Sequence, residues 1–410
     1  MSRIKIKHFG PLATSTNEND GWLEIKKVTV FIGNQGSGKS TIAKLISTCV
    51  WIEKVLTRGD FKKSEFKAPT FRSKYCGYHR ISNYFKKDKT EIYYEGDSYN
   101  FTYTKEGEFK IEKNTNARNS YSLPQIMYVP AERNFISIVN KPNLIKELPY
   151  SLLTFLSEYD KAKSIIKENF ALPINDVSLE YSKTNDTVSV KGDGYKVKLQ
   201  EASSGFQSIV PLYLVSNFLS NSVLNQAAQP NKMSTDEAKR FEEEVSKIWS
   251  DVNFTDEQRR IALSALSSKF NKSAFINIVE EPEQNLFPKS QNLLLQSLLY
   301  FNNALPNNKL IVTTHSPYLI NELTMAIKTG MLQTKKEIEE ETKKKIDAVY
   351  PLSSSLSPGD VAVYEHNKPE ACFSLLKNYK GIPSDENFLN NELEDSNSRF
   401  ADLLEIEQTL

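Results

Sequence analysis

Residues Gly33 to Thr41 read Gly-Asn-Gln-Gly-Ser-Gly-Lys-Ser-Thr, and they directly follow the apolar run Val28-Thr29-Val30-Phe31-Ile32. A buried strand, a glycine-rich turn and then a helix, expected from Thr41 through Ile46, make a phosphate-binding loop in the setting its chemistry needs. The glycines let the backbone curl, so that the N–H groups along Gly33, Asn34, Gln35, Gly36, Ser37 and Gly38 point inward at a phosphate. Lys39 is placed to reach the β- and γ-phosphates, and the Ser40 hydroxyl to complete a Mg²⁺ shell. A nucleoside triphosphate is the expected ligand, and an α/β fold the expected frame.

Further along, continuous apolar segments end in chemistry. Ala274 to Val279 stops at Glu280-Glu281-Pro282-Glu283, and Leu310 to Val312 stops at Thr313-Thr314-His315-Ser316-Pro317. Functional groups at the C-terminal ends of buried strands, with helices between, describe a mostly parallel sheet covered on both faces. Two adjacent carboxylates would repel each other, and a divalent cation makes the pair tolerable. Glu280 is then the metal carboxylate, and Glu281 the group that polarises a water for attack on the γ-phosphate. His315 is placed to report on that phosphate.

Other segments read as strands at Ile4–Ile6, Trp22–Ile25 and Gln125–Val129, and as a hairpin joining Tyr99–Tyr103 to Phe109–Ile111. Val177–Tyr181, Thr187–Val190 and Tyr195–Leu199 form a further antiparallel group. Helical spacing marks Pro149–Phe170, Ile209–Leu219, Ser234–Trp249, Thr255–Phe270 (with a Thr255/Gln258 capping box) and Lys335–Lys345.

Lys plus Arg number 52 against 51 Asp plus Glu, so no overall field steers the chain to nucleic acid. The charge is unevenly spread. Trp51 to Thr90 is strongly basic and interleaved with Trp51, Phe61, Phe66, Phe71, Tyr75, Tyr78 and Tyr84, whereas from Asp385 onward Arg399 is the lone basic residue among acids. The basic stretch could track phosphates and stack bases, or its aromatics could be the core of a small subdomain with lysines on the wet face. Cys49, Cys76 and Cys372 make no disulfide framework, and no apolar run approaches a membrane span. A cytoplasmic chain with no membrane contact is expected. Cys76 and His79 lack a second ligand pair at zinc spacing.

Gly33 to Thr41, Ser203 to Ser208, Ile276 to Pro288 and Ile311 to Pro317 resemble, in order, the Walker A, signature, Walker B/D-loop and switch segments of ABC-type ATPases. The likeness is to the soluble branch containing RecF, the SMC and double-strand-break-repair ATPases, and the OLD-like proteins. It implies ATP and Mg²⁺ as ligands, with a site shared between subunits: Lys39 and Ser40 on phosphate and metal, Glu280 on the metal, Glu281 as general base, and His315 as switch. Ser204 and Gly205 would cap the γ-phosphate of a partner at a helix N-terminus, and Asn285 would lie along the dimer seam. Three positions depart from the pattern. Glu280 stands where Asp is usual, Phe206 stands where transporters have a second glycine, and the Q-loop falls at Gln125 or at Glu132-Arg133, with Arg133 expected to touch nucleotide or the partner lobe.

The resemblance implies an ABC-type ATPase domain over 1–330, with a basic and aromatic insertion plus hairpin at 51–120 and a helical insertion at 221–272. A charged region, 331–410, is expected to contact partners. Long coiled-coil arms and a Toprim-like acidic set are missing from the sequence. The chain most resembles stand-alone ATPases of bacterial phage-defence operons, in particular the PARIS-type subunit, with retron- and Septu-associated ATPases as near neighbours. That resemblance implies a slow ATPase without nuclease activity, assembled as a homo-oligomer. It would control a separately encoded effector, a Toprim-type nuclease, and answer a phage-encoded trigger protein. The alternative is a RecF-like DNA-repair clamp that binds nucleic acid through 51–90.

Overall fold

The computed structural model describes residues 2–115, 121–139, 145, 147–167, 169–228, 235–250, 266, 271–335, 338–367 and 370–408. Its strands in chain order are β1 (Ser2–Phe9), β2 (Leu12–Thr14), β3 (Trp22–Ile25), β4 (Val28–Ile32), β5 (Glu91–Glu95), β6 (Tyr99–Tyr103), β7 (Phe109–Lys113) and β8 (Pro124–Val129). They continue with β9 (Phe170–Ala171), β10 (Ser178–Ser182), β11 (Thr187–Gly192), β12 (Tyr195–Lys198), β13 (Ala274–Glu280), β14 (Lys309–Thr314), β15 (Val361–Asn367) and β16 (Cys372–Leu375). The longer helices are α1 (Lys39–Arg58), α2 (Tyr150–Ala162), α3 (Ser204–Ala228), α4 (Thr235–Ser250), α5 (Pro288–Asn303), α6 (Pro317–Gln333), α7 (Glu340–Val349) and α8 (Phe388–Glu407).

The central sheet runs β16-β15-β4-β14-β13-β8, with β15, β4, β14, β13 and β8 mutually parallel and β16 antiparallel at the edge. Its strands read as apolar runs because both faces are covered. Successive residues alternate between two cores. Val28, Val30, Ile32, Val279 and Val312 face the side filled by α3, α5 and α6. Phe31, Ile276, Ile278, Ile311 and Ala362 face the side filled by α1. The α/β fold with a mixed sheet is as expected. One antiparallel sheet (β2-β1-β5-β6-β7, with β3 on β1) and another (β12-β11-β10-β9) flank it.

Four boundaries differ from the sequence expectation. Helix α1 starts at Lys39 and continues to Arg58, because no breaker interrupts it before Gly59, whose left-handed φ of 81° closes the last turn on Leu56 and Val55 carbonyls. Trp51 to Arg58 thus belong to the P-loop helix rather than to an insertion. Helix α2 ends at Ala162, well before Phe170. Helix α3 begins at Ser204, not Ile209, and carries Pro211 inside it. Proline has no N–H for the Gln207 carbonyl, which instead accepts the Ser137 hydroxyl at 2.8 Å.

The fourth is the boundary at 330. Strand β15 pairs with β4 from Val361↔Val28 to Glu365↔Ile32, so the main sheet draws on the region assigned to a separate C-terminal part. The expected Thr255–Phe270 helix lies outside the described residues except for 266, and the expected Lys335–Lys345 helix only overlaps α7, which runs Glu340–Val349.

The basic and aromatic stretch folds around its aromatics. Trp51 packs on Tyr75 (5.4 Å between centroids), Phe66 stacks on Tyr75 (5.0 Å) and Phe71 on Phe109 (4.3 Å). Phe66, Phe71 and Tyr75 are buried, while Lys62, Lys63, Lys67, Arg72, Lys74 and Lys86 are exposed. These rings are core, the named cations are its wet face, and Tyr84 is an exposed exception among the aromatics.

Candidate functional site

Strand β4 delivers the loop and α1 receives it. Gly38, the residue before α1, has φ 96°, and a Cβ there would sit 2.7 Å from the Leu12 side chain, so both backbone and space require glycine. Asn34, Gln35 and Gly36 are exposed, and Ser37, Gly38 and Lys39 are buried. The Lys39 ammonium donates to the Gly33 carbonyl (2.8 Å), the Asn34 carbonyl (2.9 Å) and the Ser37 hydroxyl (3.4 Å). Burial lowers its pKa to about 8, against the pull of Glu281, Glu283 and Glu280. Carbonyls solvate this ammonium poorly, so a polyphosphate would be a stronger partner for it. Ser40 and Thr41 open the first turn of α1.

The carboxylates stand at the end of β13. Glu280 is 3% exposed. Its Oε2 accepts the Ala131 N–H at 3.3 Å, and its Oε1 faces the Lys44 ammonium at 4.0 Å. That Oε1 is shielded from solvent and has no hydrogen-bond partner. A shielded carboxylate oxygen of this kind suits a divalent cation's oxygen-ligand set. Lys44 lies one helical turn beyond Ser40 on the same face of α1, so Ser40 and Glu280 belong to the same side of the site.

Glu281 turns away from the strand with φ 43°, its N–H held by the Thr313 carbonyl at 2.8 Å. Its carboxylate lies 3.5 Å from His315 Nε2, and this contact, ahead of opposing desolvation, holds it below the usual carboxylate range. Parallel pairing of β13 with β14 brings these two residues, distant in sequence, side by side.

Two residues without an assigned part complete the switch segment. Glu283 accepts the His315 backbone N–H at 2.6 Å, and desolvation raises its pKa. Gln291 on α5 receives the Ser316 hydroxyl at 2.5 Å and donates to the Leu286 carbonyl at 2.8 Å, tying the switch turn to the turn after β13. The signal for Glu283 was visible as a third acid within four residues around Pro282.

Arg133 was expected at nucleotide or at a partner lobe, and the structure places it elsewhere. It is 0% exposed. Its guanidinium donates to the carbonyls of Glu280 (2.7 Å), Glu281 (2.6 Å), Pro130 (3.3 Å) and Ser208 (3.3 Å). All three nitrogens are spent on backbone, so Arg133 is an internal strut joining the β13 end to helix α3. Burial lowers its pKa to about 10, which leaves it charged at neutral pH.

Ser204 and Gly205 form a second surface. They begin α3, on the opposite face of the sheet from α1, with Ser203 and Ser204 exposed. A Cβ on Gly205 would meet the Asn285 carbonyl at 2.8 Å, so glycine here permits the close approach of α3 to the turn after β13. Asn285, with φ 61°, is exposed beside Phe287, which is 75% exposed. Phe206 points into the core next to α3, which accounts for the missing second glycine. The structure thus gathers Lys39, Glu280, Glu281 and His315 at one end of the sheet, and Ser204, Gly205 and Asn285 on a separate patch.

Cys76 and His79 are buried, and burial lowers the His79 pKa to about 3. No cluster of three metal-ligating side chains occurs among the described residues. No helix among them is long and apolar enough to cross a membrane.

No family model and no curated protein matches this chain. Among solved structures it is similar to the SMC head domain from Thermotoga maritima, at 13% identity and a TM-score of 0.35, over 78% of this chain and 90% of that one. It is also similar to an Smc head bound to the C-winged helix domain of ScpA, at 11% identity and a TM-score of 0.36, over 91% and 96%. A third, a Pyrococcus furiosus Smc head with an extended coiled coil, gives 10% and 0.34, over 92% and 96%. At such scores the overlap is loose, and what this chain does has to come from its own residues.

Proposed function

We propose that the chain binds ATP with Mg²⁺ and hydrolyses it slowly in sites completed by a second copy. Through that assembly it serves as the sensor-scaffold of a phage-defence system that controls a separately encoded effector, a nuclease of the Toprim type. The observation that carries this reading is the division of the machinery. The P-loop helix and the Ser204–Gly205 helix cover opposite faces of one sheet, so a γ-phosphate held by Lys39 is capped by another copy's α3 rather than by its own.

The chemistry follows from the side chains. Backbone N–H groups of 33–38 and Lys39 bind the phosphates. Ser40 and Glu280 would hold Mg²⁺, which supplies charge neutralisation at the phosphates. Glu281, kept ionised beside His315, accepts a proton from the attacking water as ADP leaves. His315, its N–H held by Glu283 and its neighbour Ser316 tied to Gln291, carries any displacement of Glu281 to the start of α6.

Effector docking is assigned to α8. From Asn391 to Gln408 it is exposed on every side, with Leu393, Phe400, Leu403 and Ile406 all at least half exposed on an acidic helix. A solitary helix of this length is marginal in water, so a partner surface is expected to cover it. The exposed lysines of 62–89 leave a RecF-like DNA clamp as the second reading, but Phe66, Phe71 and Tyr75 are buried and unavailable for stacking on bases, so binding would depend mainly on phosphates.

Light scattering on Glu281→Gln with ATP-Mg²⁺, alone and with the neighbouring gene's product, tests the proposal. Nucleotide-locked assembly that carries the neighbour supports it. A monomer under all conditions, or normal turnover by Glu281→Gln, overturns it.

A further inference from the structure

Lys44 has no part in the chemistry above, yet its ammonium is 4.0 Å from the Glu280 carboxylate. That carboxylate is fixed from behind. Its Oε2 takes the Ala131 N–H, and the buried Tyr128 hydroxyl lies beside the same carboxylate. Tyr128 lies close enough to Glu280 for the carboxylate, after burial, to push its phenol up, and His79 packs on the Tyr128 ring at 4.5 Å. Of the other cations whose charge reaches the β13 acids, Arg133 is committed to carbonyls, and Lys39 to the P-loop backbone and Ser37. Among the described residues, Lys44 is the cation that meets Glu280 side chain to side chain, and at 25% exposed its side chain can swing away.

We infer that Lys44 is a positioning residue that holds Glu280 until metal and nucleotide arrive, so that it competes with Mg²⁺ for this carboxylate and sets how much Mg²⁺ the site requires. The long side chain at 280 fits this role. A glutamate spans from the Ala131 N–H to the α1 lysine, whereas an aspartate is one methylene shorter. Ser40 and Lys44 share one face of α1, so a single helix presents both the metal-site hydroxyl and the competing ammonium.

The inference rests on the ATP-Mg²⁺ reading, and the test separates the two. Fluorescence of a methylanthraniloyl ATP analogue is followed on the full chain while Mg²⁺ is titrated, for wild type, Lys44→Gln, Lys44→Arg and Lys39→Ala. With the competitor gone, the Mg²⁺ concentration for half-maximal binding in Lys44→Gln should fall about fivefold. Lys44→Arg, which keeps the charge, should stay near wild type. A structural ion pair would instead lower the melting temperature of Lys44→Gln equally with and without Mg²⁺ and analogue, and leave the Mg²⁺ midpoint unmoved. That result, or a raised midpoint, overturns the inference. If wild type shows no Mg²⁺-dependent binding that Lys39→Ala abolishes, the ATP reading falls and takes this inference with it.

Discussion

The carboxylate end of the sheet and the Ser204–Gly205 patch lie at the two ends of one arginine, and they are built on different terms. At the first, every functional group is held from several directions. Glu280 is fixed by Ala131, Glu281 by Thr313 and His315, and the His315 backbone by Glu283. At the second, Ser203 and Ser204 are exposed at a helix start, beside an exposed Asn285 and Phe287. Under the proposed function, the contrast separates a half-site that is complete from one that waits for another molecule. Arg133 keeps the two in fixed relation, since the same guanidinium reaches Glu281 and Ser208.

The sharpest way to break the comparison is to remove that strut. Arg133→Met keeps the volume but leaves four carbonyl contacts unmade, and should lower stability by about 3 kcal/mol in urea unfolding. Nucleotide affinity should fall with it. Unchanged unfolding with lost nucleotide binding would instead put Arg133 at the ligand.

A smaller effect separates the surfaces from each other. Gly205→Ala places a Cβ 2.8 Å from the Asn285 carbonyl. It should reduce ATP turnover at least about tenfold while binding of the nucleotide analogue stays within about twofold, because the damage is confined to the surface that serves a partner. Equal loss of binding and turnover would mean that α3 supports its own P-loop.

The gentlest perturbation is pH. Between about 8, where Lys39 titrates in the folded chain, and its ordinary value of 10.5, the folded protein holds fewer protons than the unfolded one. Lys39 therefore adds stability as pH rises through that window. A polyphosphate reverses this by recharging the lysine, so binding should take up close to one proton at about pH 9, and affinity should fall up to about tenfold per pH unit above about 8. Calorimetry in two buffers of different ionisation enthalpy reads the proton directly. No uptake would mean that Lys39 stays charged among its carbonyls.

The complete half-site was the more legible one. Strand, glycines and lysine are contiguous, and β13 and β14 announce themselves as apolar runs with polar ends, so local chemistry and tertiary placement agree. Arg133 was not legible, because a guanidinium after a strand reads the same whether it points at ligand or at carbonyls. Only the fold that brings Pro130, Ser208, Glu280 and Glu281 to one point decides the matter. Strand β15 was missed for a related reason. Val361-Ala362-Val363-Tyr364 is a brief apolar run in a polar region, and its burial comes from pairing with a strand at the far end of the chain. In the stretch 51–90, composition left two readings of the aromatics standing, and packing favoured the plainer one.

The late arrival of β15 also bears on how the protein is made. The P-loop strand β4 emerges from the ribosome long before either of its sheet neighbours, β14 and β15. Contacts of such long range form slowly and cannot form before both partners exist. Until β14 and β15 have been made, a nascent chain therefore carries its nucleotide motif without a sheet to hold it. A chain arrested after Ser355 should not retain the ATP analogue that a finished chain retains. Competence to bind nucleotide would then also certify that translation has passed β15.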